Sequence, residues 1–150
     1  MELTHINSNG KASMVDISQK EIIKRTAIAY GKIILQSNTL KHIKENLIKK
    51  GDVLSVAKIA GIMAAKKTDD LIPLCHGLAL EHVDIEFDVV EDGINIRSYV
   101  IISGKTGVEM EALTAVSFAA LTIYDMCKAI DKEMRIENIY LIEKKKYEKV

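Results

Sequence analysis

Two pairs of polar side chains flank one long apolar stretch, and their types and spacing suit them to chemistry. The stretch spans residues 104–128 and reads GKTGVEMEALTAVSFAALTIYDMCK, with Glu109 and Glu111 near its start and Asp125 and Lys128 at its end. A helix that is apolar on nearly every side is normally buried, and carboxylates are costly to bury unless they are paired or hydrogen-bonded. The pattern therefore predicts a core helix with reactive groups at both ends.

The two ends suggest different chemistry. Asp125 and Lys128 are three positions apart, so they face the same side of a helix. Their apolar neighbours favour a partly desolvated pair that exchanges protons with a ligand, and an ordinary surface ion pair is the alternative. Glu109 and Glu111 are two positions apart and point to different sides, and compensation of the helix dipole is their simpler role.

The length of this helix constrains how its two ends could cooperate. At 1.5 Å per residue, Glu111 and Asp125 lie roughly 21 Å apart along a regular helix. Groups at that distance cannot contact the same atoms of one small molecule. If both serve catalysis, either there are two sites or two subunits share one. We favour the second arrangement, a site completed at a subunit interface.

The turn before the helix is a candidate phosphate site. Its sequence, SGKTG at residues 103–107, lies between a predicted strand and the helix, where backbone N–H groups can hold a phosphate. A P-loop requires a glycine five residues before Gly104, and Tyr99 occupies that position. The residues thus argue against a nucleotide-hydrolysing P-loop. They leave a plain turn and a ligand-facing turn equally open.

Further candidates lie in loops. His76 follows Cys75 in the segment with the only proline, LIPLCHG, where a histidine suits general acid–base catalysis or a structural hydrogen bond. A metal site of Cys75, His76 and His82 lacks a fourth ligand at suitable spacing. Lys50, in the sequence KKGD, is either in a solvated turn or part of a phosphate clamp. Lys144 begins a run of three lysines that is typical of a solvated chain end.

Composition excludes several classes of protein. The chain has 21 Lys+Arg against 21 Asp+Glu and 5% aromatic residues without tryptophan, which argues against a general binder of nucleic acid. Two cysteines are too few for a zinc knuckle or a disulfide framework. The sequence shows neither a signal-peptide pattern nor an apolar segment that we expect to span a membrane. These features predict a soluble cytoplasmic protein, and the zero net charge permits self-association.

The hydrophobic pattern predicts one domain at residues 14–150, preceded by a mobile lead-in at residues 1–13. Residues 21–35 fit a helix or a strand, and Gly31 with the β-branched residues favours a strand. The remaining predicted elements are an extended segment at 14–18, helices at 40–47 and 53–67, strands at 82–90, 94–102 and 135–142, and a fraying tail. This order predicts an α+β fold of the ferredoxin-like split-βαβ kind, with a four-stranded, mostly antiparallel sheet and helices on one face.

Several motifs together resemble one family. They are MVDIS, KGDV, AGI, LIPLCH, GKTGVEMEAL and LTIYDMCK, in this order from about residue 3 to residue 144. This chain resembles the molybdenum cofactor biosynthesis protein C family, the cyclic pyranopterin monophosphate synthases. The resemblance implies a lyase of the phosphorus–oxygen class. It would convert a 3′,8-cyclo-dihydroguanosine triphosphate to cyclic pyranopterin monophosphate and release diphosphate. It also implies a hexamer, a trimer of dimers, with active sites at dimer interfaces.

The resemblance also assigns site residues. By motif, Asp125 matches the catalytic aspartate and Lys128 its neighbouring lysine, and Lys50 and His76 join them as expected catalytic groups. The expected substrate-binding residues are Leu74, Cys75, His76, Glu109, Met110, Glu111 and Lys144. The sequence leads us to expect no metal or cofactor, no nucleic acid and no membrane as partners, only the small-molecule substrate and further copies of the chain.

The chain departs from the family's sequence pattern at two places, and two alternative functions remain open. Gly77 stands where the family usually has proline, and the charged tail EKKKYEKV replaces a glycine-rich one, which leaves open which of residues 144–146 contacts substrate. One alternative is a non-catalytic ferredoxin-like module for nucleotide binding or regulation. The other is a phosphate-binding hydrolase that uses the GKTG turn.

Overall fold

Four strands and four helices build the fold in the computed structural model, which describes residues 3–148. Met1, Glu2, Lys149 and Val150, at the outer ends of the predicted lead-in and tail, lie outside the described residues. The elements in chain order are β1 (Ile23–Ile34), α1 (Ser37–Lys44), α2 (Val53–Lys66), the single-turn α3 (Thr68–Leu71), β2 (His82–Val90), β3 (Gly93–Gly104), α4 (Glu109–Cys127) and β4 (Arg135–Tyr147).

The sheet has the strand order β2-β3-β1-β4, and every neighbouring pair is antiparallel. Helices α2 and α4 pack together, and α4 lies across β1, β3 and β4. This arrangement confirms the predicted α+β fold with a ferredoxin-like split-βαβ topology.

The ambiguous segment at residues 21–35 forms β1, a central strand of the sheet. One of its faces carries Ala27, Ala29, Gly31 and Ile33, which are all buried. Small side chains at three of these positions let the helical layer approach the sheet closely. Period-two burial is the pattern of a strand, so β1 confirms the preference for a strand over a helix.

The contact between α2 and α4 depends on a glycine. A Cβ at Gly61 would overlap Ile85 Cδ1 and would lie 2.8 Å from the backbone oxygen of Ala115. No side chain fits there, so α2 can approach both α4 and β2. The core beneath holds fully buried apolar side chains, among them Ile85, Ile96 and Ile123.

Three sequence predictions differ from the structure. Residues 14–18 form no strand, because their backbone has no pairing partner. The tail does not begin to fray after Ile142: β4 continues to Tyr147, because β1 extends to Ile23 and its residues 24–28 pair with residues 143–147. Among the described residues α4 is long and apolar enough to cross a membrane by length and composition, contrary to prediction. Its buried residues pack into the core, as in the central helix of a folded domain.

The lead-in has local structure. Ile6 and Ala12 form an isolated antiparallel bridge around a turn in which Gly10 has a φ of 72°. Whether residues 1–13 are mobile stays a prediction, as does the single-domain boundary at residue 14.

Candidate active site

The end of α4 carries a cluster of three charged side chains, here called the C-terminal cluster: Lys50, Asp125 and Lys128. The Asp125 carboxylate accepts from Lys50 Nζ at 2.9 Å through Oδ2 and pairs with Lys128 Nζ at 2.8 Å through Oδ1. Lys50 Nζ also donates to the backbone oxygen of Asp125 at 3.0 Å. One carboxylate therefore lies between two ammonium groups.

Backbone geometry brings Lys50 to this cluster. Gly51 has a φ of 108°, which favours glycine, so the chain turns sharply after Lys50. Asp52 then caps α2 by accepting from the Ser55 backbone N–H at 3.1 Å and the Ser55 hydroxyl at 2.7 Å. The short motif KGD thus places an ammonium group beside α4 and starts the next helix.

The C-terminal cluster is exposed, which corrects the expectation of a partly desolvated pair. The side chains of Asp125 and Lys128 are 55% and 57% exposed. The neighbouring Lys128 and Lys50 ammonium groups lower the pKa of Asp125 to about 2, and the carboxylate in turn raises the pKa of Lys128. In the isolated chain, Asp125 is therefore ionised at neutral pH and carries no proton to donate.

A buried carboxylate supports the same end of the fold. Asp131 is 1% exposed and accepts three hydrogen bonds, from Gln36 N and Thr39 Oγ1 at 2.9 Å each and from Glu133 N at 3.0 Å. Burial disfavours its charge, but these bonds outweigh burial and lower its pKa. Asp131 thereby ties the start of α1 to the loop that follows Lys128.

The other end of α4 opens into a cavity of about 500 Å³, here called the N-terminal pocket. Its lining includes all the substrate-binding residues expected from the resemblance except Lys144: Leu74, Cys75, His76, Glu109, Met110 and Glu111. The structure thus brings a loop and the first turn of α4, both predicted to contact substrate, to one place. Lys50 and His76, both expected among the catalytic groups, lie at opposite tips of α4.

Glu111 is the most unusual titratable group of this pocket. It is 4% exposed, and its burial, followed by the charges of Glu109 and Asp69, raises the pKa of its carboxyl to about 7. A protonated carboxylic acid therefore coexists with the carboxylate near neutral pH. Burial and the charge of Glu111 also raise the pKa of the Cys75 thiol, so this thiol is not an activated nucleophile.

Glu109 has the opposite electrostatic character. Burial alone would raise its pKa, but the hydrogen bond from Lys144 Nζ, at 2.9 Å, helps lower it. A second cavity of about 280 Å³ adjoins this ion pair and is lined by Arg25, Thr26, Gly107, Glu109 and residues 144–146. A cationic recess with one carboxylate therefore lies beside the N-terminal pocket.

Arg25 was missed by the sequence reasoning. It is 8% exposed, and its guanidinium donates to the backbone oxygens of Gly104 at 3.1 Å and Lys105 at 3.3 Å. The signal was its position: it shares a strand face with Ala27 and Ile33, where a charge is unexpected. A buried arginine at the end of an apolar strand face is a candidate anion-binding group.

His76 is held by the chain that precedes the first strand. Its Nε2 lies 2.7 Å from the backbone oxygen of Val15. Because a carbonyl oxygen only accepts, Nε2 must carry the hydrogen. Nδ1 is consequently the nitrogen left to accept or return a proton.

The metal site considered from the sequence does not form. Within residues 3–148, no three His, Cys, Asp or Glu side chains come together in a way that could hold a metal ion. The ring of His82 instead packs edge-on against Tyr99, at 6.2 Å between centroids.

Comparison with known proteins gives one consistent result. The family model described as the MoaC family matches residues 14–146. The cyclic pyranopterin monophosphate synthase of Desulfitobacterium hafniense is 57% identical over 145 residues, 96% of this chain and 89% of that protein. The enzymes of the same name from Heliobacterium modesticaldum and Novosphingobium aromaticivorans are 55% and 58% identical, over 95% and 96% of this chain and 91% and 92% of theirs. The motifs, the fold and these similarities agree, and the chain belongs to the MoaC family.

Proposed function

We propose that this chain is a cyclic pyranopterin monophosphate synthase acting in molybdenum cofactor biosynthesis. The relatives of that name align with this chain over nearly their whole length. The reaction implied by the resemblance opens the five-membered ring of a cyclised guanosine triphosphate, closes a pyran ring, forms a cyclic phosphate and releases diphosphate. The structural observation that carries the proposal is the C-terminal cluster, in which one carboxylate lies within 2.9 Å of two ammonium groups.

The C-terminal cluster can couple anion binding to proton transfer. Lys50 and Lys128 currently neutralise Asp125 and hold its pKa near 2. A substrate phosphate that draws these ammonium groups away removes the cause of that low pKa. Asp125 then becomes a stronger base in the complex than in the free protein, as proton abstraction from substrate requires.

The N-terminal pocket supplies complementary groups. Glu111, with a pKa of about 7, can donate a proton near neutral pH, and Nδ1 of His76 can accept one. Arg25 and Lys144 border the adjoining cationic recess, which suits the charge of a triphosphate and of the departing diphosphate. Opening one ring and closing another require several proton transfers, which the three groups Asp125, Glu111 and His76 can divide.

We further propose that the working site combines the C-terminal cluster of one subunit with the N-terminal pocket of another. The two lie at opposite ends of the 19-residue α4, too far apart to act together within one chain. The exposure of the C-terminal cluster leaves it free to meet a partner. The charges of the C-terminal cluster sum to +1, whereas the N-terminal pocket has the acidic residues Glu109, Glu111 and Asp69 in or near it, so the two surfaces are complementary in charge. A hexamer built as a trimer of dimers, located in the cytoplasm, is the assembly we propose.

A turnover assay tests the function. Purified protein is incubated with the cyclised guanosine triphosphate, and formation of cyclic pyranopterin monophosphate and diphosphate is followed. We expect the wild type to convert it and Lys50→Ala to lose at least about 100-fold in rate. No product from well-folded wild type would favour the binding module, and hydrolysis of GTP itself would favour the hydrolase.

A further inference from the structure

The segment that precedes β1 covers the N-terminal pocket. Residues 4–20, here called the N-terminal strap, contribute Thr4, His5, Val15, Ile17 and Lys20 to the lining of the cavity that also holds Glu111. About a third of the lining residues therefore come from a segment without a strand or helix of its own.

Few hydrogen bonds hold the N-terminal strap to the domain. Within the described residues, only two hydrogen bonds connect the two: His76 Nε2 to the oxygen of Val15, and Lys105 Nζ to the oxygen of Ser18, both at 2.7 Å. Its other bonds are internal, such as Ser18 N to Asp16 Oδ1 and Lys20 N to the oxygen of Ile17. Besides the half-buried Val15 and Ile17, the hydrogen-bonded attachment of the strap to the domain therefore depends on two side chains.

Lys105 is well placed to control this attachment. Its own backbone oxygen accepts from the buried Arg25, which also bonds the oxygen of Gly104. The backbone of the turn is thus fixed to β1, while the exposed ammonium group reaches out to Ser18. This contact gives the lysine of the SGKTG motif a role other than phosphate binding.

We propose that the N-terminal strap is a lid over the N-terminal pocket and that Lys105 is a positioning residue that latches it shut. The closed strap shields Glu111 from water and holds His76 with its hydrogen on Nε2. Substrate binds the closed form better, because the strap then supplies one wall of its site. Releasing the latch lowers the closed population, which weakens apparent substrate affinity, whereas saturating substrate restores closure.

Limited trypsin digestion of the full chain tests the latch without any substrate. Cleavage after Lys11 and Lys20, both exposed in the strap, is followed by mass spectrometry for wild type, Lys105→Met and Lys105→Arg. We expect Lys105→Met to be cleaved about three to ten times faster, since it loses one charge-assisted hydrogen bond, and Lys105→Arg to resemble wild type. The control is Lys32→Met, which breaks the ion pair with Asp92 and leaves the strap contacts untouched. Equal cleavage of Lys105→Met and wild type would overturn the proposal.

Steady-state kinetics separate a latch from a catalytic lysine. The kinetic arm rests on the proposed function, whereas the digestion does not, so either can fail independently. We expect Lys105→Met to raise KM by about three to ten times with kcat within about twofold, and Lys105→Arg to restore KM. A large fall in kcat with unchanged KM would place the ammonium group in the chemistry and overturn the latch.

Discussion

Replacement of Glu111 by glutamine should change how the stability of the fold depends on pH. Glu111 is 4% exposed at the first turn of α4, and burial raises the pKa of its carboxyl to about 7 from an ordinary 4.5. Glutamine keeps the shape and cannot ionise. The difference in unfolding free energy between the two proteins therefore reports the titration of this single group.

The sign and size follow from the two pKa values. Below pH 4.5, the carboxyl is protonated in both the folded and unfolded chains, and ionisation changes nothing. Between pH 4.5 and 7 the unfolded chain releases the proton while the folded chain retains it, so stability falls as pH rises. The accumulated loss reaches about 3 kcal/mol above pH 7, of which about 2 to 3 kcal/mol develops between pH 5 and pH 8.

Urea denaturation at pH 5, 6, 7 and 8, at one fixed protein concentration, measures this effect. We expect Glu111→Gln to gain stability relative to wild type by about 2 to 3 kcal/mol across that range. Asp92→Asn is the control: the hydrogen bond from Lys32 lowers the pKa of Asp92, so this carboxylate is ionised in both states over most of that range and the difference from wild type stays nearly constant. Parallel curves for wild type and Glu111→Gln would refute the reasoning, because they would mean that the folded protein holds Glu111 ionised.

Three further predictions concern other parts of the fold. Asp125→Asn should lose at least about 100-fold in turnover while its thermal midpoint stays within a few degrees of wild type, because the side chain is exposed; a large drop in the midpoint would contradict this. Asp131→Ala should lower the unfolding free energy by about 2 to 4 kcal/mol in urea denaturation, because three donors lose a buried acceptor. Asp131→Asn should lower it by only part of that amount, and unchanged stability in Asp131→Ala would refute this role. Gly61→Ala should cost about 1 to 3 kcal/mol, since its Cβ would meet Ile85 and Ala115 in closely packed surroundings, and a neutral substitution would show that α2 moves freely away from α4.

Local patterns predicted the strands and helices better than they predicted the environment of the site. The burial alternation of β1 and the apolar length of α4 were readable because each depends on neighbours along one element. The exposure of Asp125 was not readable in this way, since the adjacent Met126 and Cys127 are buried while its own side chain is 55% exposed. The contact of Val15 with His76 joins positions 61 apart in the chain, and no spacing rule relates such positions.

The extension of β4 to Tyr147 was likewise not predictable from the local sequence. Residues 143–147, of which four are charged, look like a solvated tail in isolation, yet they pair with β1 because a long central strand offers them hydrogen-bonding partners. This pairing places Lys144 opposite Ala27 and within 2.9 Å of Glu109. The family motif therefore identified Lys144, whereas its position beside Glu109 depends on the register between β4 and β1.

A working site shared between two subunits can be tested with two variants, each of which we expect to be inactive alone. Lys50→Ala damages only the C-terminal cluster, and Glu111→Gln damages only the N-terminal pocket. In a two-fold dimer that contains one of each, one site combines both defects and the other combines two intact halves. If subunits mix at random, half the dimers are of this kind, so about a quarter of wild-type activity should return after co-refolding.

The same mixture excludes the competing arrangement. If each chain carried a complete site, every site in the mixture would contain one defect, and activity would stay at the level of the separate variants. Co-refolded Lys50→Ala with Asp125→Asn is the control, because both defects then lie in the C-terminal cluster and no intact combination can form. Recovery in the first mixture and none in the second would require that opposite ends of α4 from different subunits meet, which one chain cannot achieve across a 19-residue helix.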